Sequence, residues 1–369
     1  MKKLSNMVKT SVLSIILVIF TVVFISCNSD DDSVNKNRQI AFANYPYLSN
    51  FIILESGLEM HYLDEGEGEI PLIMVHGLPT SSYLWRKMIP ELSRNNRVIA
   101  IDLPNFGKSE KTGGTPCSGE YVEYINEFVE ALNLPKVRLL NHDMGGFVGG
   151  LFAARYPEKV DAAAMFEVVF SGPFPKDFLP PFLQELRGPN ADQLVLEDNF
   201  FIETLLLNND FNGMPDPAFG RTSIVQLNED EVTEFRSPFL TPESRQALHF
   251  DRDCLGILEI NDQNRADFIE IAQYFQQTDK PRLVLFGNPS FVLSGDFAPP
   301  GAVDPISNLP ITMRNVVTGS VSGQVGGWQN IDNVSVYDMI KPSLHYWQNE
   351  TNGAAEEAAV AISNWLDNL

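Results

Sequence analysis

Five short apolar runs constrain the fold most: Pro71 to Val75, Arg97 to Ile101, Val137 to Leu140, Ala162 to Phe166 and Arg282 to Phe286. Each is almost continuously hydrophobic rather than alternating, as strands covered on both faces of a parallel sheet must be. Between them lie segments with helical patterning, Tyr121 to Leu132 and Gly149 to Arg155, and an amphipathic stretch from Ala354 to Leu366 opened by Asn352-Gly353. Parallel strands need crossover helices, so the pattern predicts an α/β fold with a doubly wound, mostly parallel sheet. Between Phe170 and about Phe275 the alternation stops and Phe, Pro, Leu and acidic residues take over. That block predicts an inserted helical cap over 171–275, splitting the core into 45–170 and 276–369, with an apolar pocket between cap and sheet. The stretch Gly295 to Gly327, rich in Gly, Pro, Ser and Val, is long for a loop.

The N-terminal region lies outside this pattern. Lys2, Lys3 and Lys9 precede an apolar run from Val12 to Ile25 that is short for a membrane span but suits the core of a signal peptide over 1–26. It ends in Phe24-Ile25-Ser26-Cys27, which resembles the lipobox of bacterial lipoproteins, with cleavage before Cys27 and acylation of its thiol. A plain secretory signal with an incidental cysteine is the alternative. Residues 27–44, polar and carrying Asp30, Asp31 and Asp32, are expected to form a flexible tether. The expected location is therefore the membrane of a Gram-negative cell envelope, held by a lipid anchor. Lys and Arg number 26 against 48 Asp and Glu, a net charge of −22, which repels phosphate backbones and excludes nucleic acid as a partner. Cys117 and Cys254 are far apart in sequence and make no disulfide framework, so both are expected free.

The chemistry is concentrated in Leu139-Leu140-Asn141-His142-Asp143-Met144-Gly145-Gly146, where a strand run meets a helix. Small residues flanking a central polar one are the signature of a nucleophile elbow, a tight turn that lifts the central side chain above the sheet. The central residue is Asp143. A carboxylate is ionised at neutral pH and needs no base to activate it. When it displaces a leaving group from saturated carbon it forms an alkyl ester, which water can cleave at the carboxyl carbon, whereas a Ser would leave a stable ether. Asp143 thus argues for attack at sp³ carbon carrying a halide or an epoxide oxygen. A strand-end Asp that merely caps the next helix is the competing reading.

Three further segments favour catalysis. His76-Gly77-Leu78-Pro79-Thr80-Ser81-Ser82-Tyr83-Leu84-Trp85-Arg86 follows a strand, and the backbone N–H groups of Leu78 and Met144 can form an oxyanion hole. Asp102-Leu103-Pro104-Asn105-Phe106-Gly107 ends another strand, and Pro342-Ser343-Leu344-His345-Tyr346 precedes the last helix, where a general-base His belongs. With these motifs the chain resembles the haloalkane dehalogenases of the α/β-hydrolase superfamily, from about Tyr45 to the C-terminus. Phe235-Arg236-Ser237-Pro238-Phe239 and Pro242-Glu243-Ser244-Arg245 are similar to that family's cap. The resemblance implies an α/β-hydrolase fold, Asp143 as nucleophile, His345 as base and a small apolar haloalkane as substrate, with no metal or organic cofactor. It also implies a catalytic acid after the strand that follows the nucleophile, a place taken by Glu167. The other position used in the family reads Gly287-Asn288-Pro289-Ser290-Phe291, with no acid before Asp296. His76 and His142 belong to motifs as structural groups, and His61 and His249 have no motif.

Two positions depart from the family pattern. It supplies side-chain N–H donors to the departing halide from a Trp after the nucleophile and commonly an Asn in the His-Gly-x-Pro loop; here Met144 and Leu78 stand there. Trp328, Gln329 or Asn330 of the insertion is a possible substitute donor. An epoxide hydrolase-like reading needs cap tyrosines to protonate the opening ring, yet only Tyr274 lies between Phe170 and Thr278. A surface lipoprotein that binds an apolar ligand with little or no turnover is the third reading. Oligomeric state is not specified by any sequence feature.

Overall fold

The structure is a computed structural model that describes residues 37–168, 185–207, 227–249, 254, 262–287, 303–310, 312–322, 327–341 and 353–369. Its frame is a nine-stranded sheet in the order β1-β2-β3-β5-β4-β6-β7-β8-β9. β1 (Asn37–Ile40), β2 (Ser49–Ile53) and β3 (Glu59–Glu65) form an antiparallel margin, and β3 pairs antiparallel with β5 (Val98–Ile101). From β5 onward the sheet is parallel, through β4 (Leu72–Val75), β6 (Val137–His142), β7 (Val160–Phe166), β8 (Arg282–Phe286) and β9 (Val334–Asp338).

The apolar runs become these central strands because both faces are covered. Every residue of β4, β5 and β8 is buried. The helices form two packed groups: α1 (Ile89–Leu92) with α7 (Ala354–Leu366), and α2 (Ser118–Ala131) with α3 (Met144–Arg155) and α5 (Asp262–Gln277). The α3 helix is apolar around its whole circumference and its first turn lies directly on β4. A Cβ at Gly145 would stand 2.3 Å from the Val75 carbonyl oxygen, so only glycine allows that approach.

Cap elements between β7 and α5 include two short π-helical turns, Gln193–Glu197 and Phe201–Leu207, and α4 (Glu229–Arg236). Lys36–Leu369 forms one compact unit, and α4 docks on the core through ion pairs of 2.6 Å, Arg86 to Glu231 and Lys108 to Glu234. Glu231 also closes the capping box of α4 with Asn228, so one side chain both starts the helix and fastens it.

Four expectations change. The tether gives way to structure by Asn37, because β1 joins the sheet by backbone pairing and needs little hydrophobicity of its own; Arg38 pairs with Glu59 and lies 4.2 Å from the centre of the Phe51 ring. Cys117 and Cys254 are not free: they form a disulfide with Cα atoms 5.0 Å apart, tying the cap to the start of α2. Sequence separation hid that pairing, which the fold creates by laying the cap across the core; Thr115 Oγ1 donates to the Gln246 carbonyl beside it at 2.8 Å. The helix Asp262–Gln277, placed partly in the cap from sequence, packs on α3 and α2 and belongs to the core. Finally, the Gly295–Gly327 stretch contains a short helix, α6 (Met313–Val317), whose Val316 and Val317 are buried.

Candidate active site

Strand register brings the site together. His142 at the end of β6 pairs with Phe166 at the end of β7, and the next residue on each strand is Asp143 and Glu167. Both leave the sheet with positive φ, 52° in each case, a conformation an L residue adopts only when its surroundings impose it. At Asp143 this is the elbow: ψ is −124°, and α3 begins at the following residue. Gly77 crosses so close that a Cβ there would lie 2.4 Å from the Cβ of Asp143.

That approach allows a direct contact. The backbone N–H of Leu78 donates to Asp143 Oδ1 at 2.8 Å. That bond fixes the Oδ1 side of the carboxylate. The side chains of Leu78 and Met144 are buried beside it, 6% and 2% exposed, and neither carries a donor. Glu167 is 2% exposed at the neighbouring strand end. Asp143 and Met144 from one motif, Leu78 from a second and Glu167 from a third therefore meet at one edge of the sheet. His345, like Cys27, lies outside the described residues, as do the signal peptide, Asp296 and most of the tether.

The remaining histidines divide by their partners. His76 is fully buried, and its Nε2 accepts the Leu103 N–H at 3.1 Å, so its proton resides on Nδ1, which donates to the Gly77 carbonyl at 3.1 Å. Burial lowers its pKa, which keeps the ring neutral. His142 packs its ring on Trp85 and Phe166. His249 is buried in the cap, 3.2 Å from Asp192. His61, which carried no motif, forms a fully buried chain: Nδ1 to Asp102 Oδ2 and Nε2 to Ser49 Oγ, each at 2.7 Å. Asp102 also accepts the backbone N–H groups of Ser82 and Lys108. Burial opposes its ionisation, yet the charge and hydrogen bond of His61 outweigh it and hold the carboxyl well below the usual range. Met60, His61, Tyr62 and Leu63 are all buried in β3, so no alternation in the sequence marked His61.

Trp328, Gln329 and Asn330 do not supply a donor to this edge. Trp328 stacks on Phe275 with ring centres 5.6 Å apart and lies 4.8 Å from the Arg282 guanidinium. Arg282 opens β8 and binds the carbonyls of Phe275, Gln329 and Asn330. Trp328, Gln329 and Asn330 therefore sit at the starting ends of the parallel strands, opposite the edge that carries Asp143. Tyr274 is on α5 in the core, so no tyrosine occurs in the cap among the described residues. No group of three or more His, Cys, Asp or Glu among the described residues could hold a metal ion.

A strained acid at a strand-to-helix elbow above a parallel sheet defines an α/β-hydrolase site, and residues 70–188 match the family model for the alpha/beta hydrolase fold. The chain is 30% identical to the haloalkane dehalogenase of Mesorhizobium japonicum over 343 residues, 90% of this chain and 96% of that protein. It is 30% identical to the haloalkane dehalogenase of Agrobacterium fabrum over 243 residues, 64% of this chain and 75% of the relative. The crystal structure of haloalkane dehalogenase DatA from Agrobacterium tumefaciens C58 superposes with a TM-score of 0.67 at 23% identity, covering 90% of this chain and 97% of that one. The loop variant DbeA-M1 from Bradyrhizobium elkanii gives 0.68 at 20% identity, covering 90% and 96%. The chain belongs to the haloalkane dehalogenase family.

Proposed function

We propose that this hydrolase cleaves carbon–halogen bonds of small apolar haloalkanes through a covalent ester on Asp143. The observation that carries the reading is the 2.8 Å bond from the Leu78 N–H to Oδ1 of a carboxylate held at the elbow. Oδ2 of Asp143 attacks the carbon, the carbon–halogen bond breaks, and its electron pair leaves with the halide. Water then gives a proton to His345 and adds to the Asp143 carboxyl carbon. Negative charge builds on Oδ1, where the Leu78 N–H and that of Met144 would stabilise it. Collapse expels the alcohol, which takes the proton back from His345, while Glu167 stabilises the imidazolium. Replacing His345 by Gln should leave attack intact and block hydrolysis, so a bromoalkane should add its alkyl mass to the Asp143 peptide. Unmodified Asp143 in that variant, with turnover by the unaltered enzyme, would remove Asp143 from the mechanism.

The apolar Leu78 and Met144 favour leaving groups that need little hydrogen bonding, so bromide and iodide should leave faster than chloride. The same two residues support a second reading, in which Asp143 attacks sp³ carbon bearing a different, self-stabilised leaving group. Halide release measured beside alcohol formation from non-halogenated esters of strong acids separates the two.

We further propose that Cys27 is acylated and anchors the enzyme to a Gram-negative envelope membrane. The Cys117–Cys254 bridge supports export, because disulfides persist in oxidising compartments. The Cys27→Ser variant should leave the membrane fraction and take up no labelled lipid; retention in the membrane would overturn the anchor.

A further inference from the structure

One peptide unit joins the Gly77 carbonyl to the Leu78 N–H. A trans peptide is planar, so these two groups point in opposite directions, and whatever fixes one aims the other. On the N–H side stands Asp143 Oδ1 at 2.8 Å. On the carbonyl side three donors converge: Thr80 Oγ1 at 2.8 Å, Thr80 N–H at 2.9 Å and His76 Nδ1 at 3.1 Å. Thr80 and His76 are buried at 1% and 0% exposure, so water does not compete for that oxygen. His76 is itself oriented by the Leu103 N–H, which occupies its other nitrogen. Hydrogen bonds accepted by an amide oxygen withdraw electrons from its nitrogen and make the N–H a stronger donor.

We infer that Thr80 and His76 are positioning residues that polarise the Gly77–Leu78 peptide and so strengthen the oxyanion donor at Asp143. Neither touches the substrate. The inference rests on the ester mechanism proposed above and adds a step-specific consequence to it. In the carboxylate Oδ1 carries about half a negative charge; in the ester it is a neutral carbonyl oxygen; in the tetrahedral intermediate it carries a full charge. A stronger donor therefore speeds ester hydrolysis and gives no help to ester formation.

The test compares Thr80→Val, which keeps the shape and removes the hydroxyl donor, with Thr80→Ser, which keeps the donor. Rapid-quench mass spectrometry with a bromoalkane would follow the alkyl ester on Asp143. In Thr80→Val, hydrolysis should slow on the order of three- to tenfold, less than the loss of a direct oxyanion donor, while ester formation holds or rises. Thr80→Ser should restore hydrolysis. Equal loss in both steps, or a Ser variant as slow as the Val variant, would overturn the inference. A second readout needs no turnover: the Leu78 amide proton should move upfield in the NMR spectrum of Thr80→Val and return in Thr80→Ser. An unmoved Leu78 resonance refutes the peptide coupling whatever the kinetics. Absence of any ester on Asp143 in the His345→Gln variant refutes the ester mechanism instead, and the amide shift still judges the coupling.

Discussion

The edge where β4, β6 and β7 end and the margin formed by β8 and β9 are built on opposite plans. At the first, the chain turns within one or two residues of a strand, and those residues are Asp143, Glu167 and the Gly77–Leu78 peptide. At the second, a long connection from 287 to 333 joins two parallel neighbours, and its described residues bond to one another and to β8. Asp304 accepts hydrogen bonds from Ser307, Ser322 and the Ile306 N–H, and Arg282 holds Trp328 and the carbonyls before β9. The lesson is that the candidate site gathers residues just past the strand ends, whatever the length of the connection that follows: β6 runs straight into α3, whereas the whole cap follows β7. Trp328, Gln329 and Asn330, held at the starting ends of the strands, do not replace side-chain donors at Leu78 and Met144.

The largest expected effect falls on the first region. Asp143→Ala should lower halide release by about 10⁴-fold or more, since the covalent route is lost as a whole. Residual activity within tenfold of the unaltered enzyme would move the nucleophile elsewhere. Next is the buried support beneath that edge. Asp102→Ala strands His61 and the Ser82 and Lys108 N–H groups, and should cost about 3–5 kcal/mol in urea denaturation at pH 7. Because the folded carboxyl is held well below its ordinary value, its stabilisation is complete above the unfolded pKa near 4 and fades as pH falls below it. The gap between Asp102→Ala and the unaltered protein should therefore shrink by about 1 kcal/mol at pH 3.

The cap staple comes third. Cys254→Ser opens a loop closed over a separation of 137 residues, and should lose about 2–4 kcal/mol. A change under 0.5 kcal/mol would mean that the Arg86–Glu231 and Lys108–Glu234 pairs suffice to hold the cap. The last two variants set the regions directly against each other. Met144→Trp with Leu78→Asn should raise chloride release roughly tenfold or more, provided the indole fits. Trp328→Phe should leave halide preference unchanged and lose only about 1 kcal/mol of stability from its contact with Arg282. A shift in preference in Trp328→Phe would bring the margin into the site after all.

The same contrast explains what could be read in advance. The central strands were legible because burial on both faces forces continuous hydrophobicity, and the placing of Asp143, Met144, Leu78 and Glu167 at one end of the sheet was legible because each lies within four residues of the end of such a run. β1 was not, since an edge strand is held by its backbone. His61 was not, because its partners Asp102 and Ser49 come from strands far apart in sequence. The Cys117–Cys254 bridge and the place of Trp328 depend on how the cap and the 287–333 connection fold back, which no local pattern records. His345 remains an assignment from motif and family resemblance.

Oxygen transfer tests the central claim most directly. In a single turnover with enzyme in excess, a primary bromoalkane would be converted in water enriched in ¹⁸O. An ester on Asp143 hydrolysed at its carboxyl carbon places unlabelled oxygen in the alcohol and ¹⁸O in the Asp143 side chain, found as a mass gain on its peptide. Labelled alcohol with unlabelled Asp143 would mean that water attacks the substrate directly, and would contradict the account.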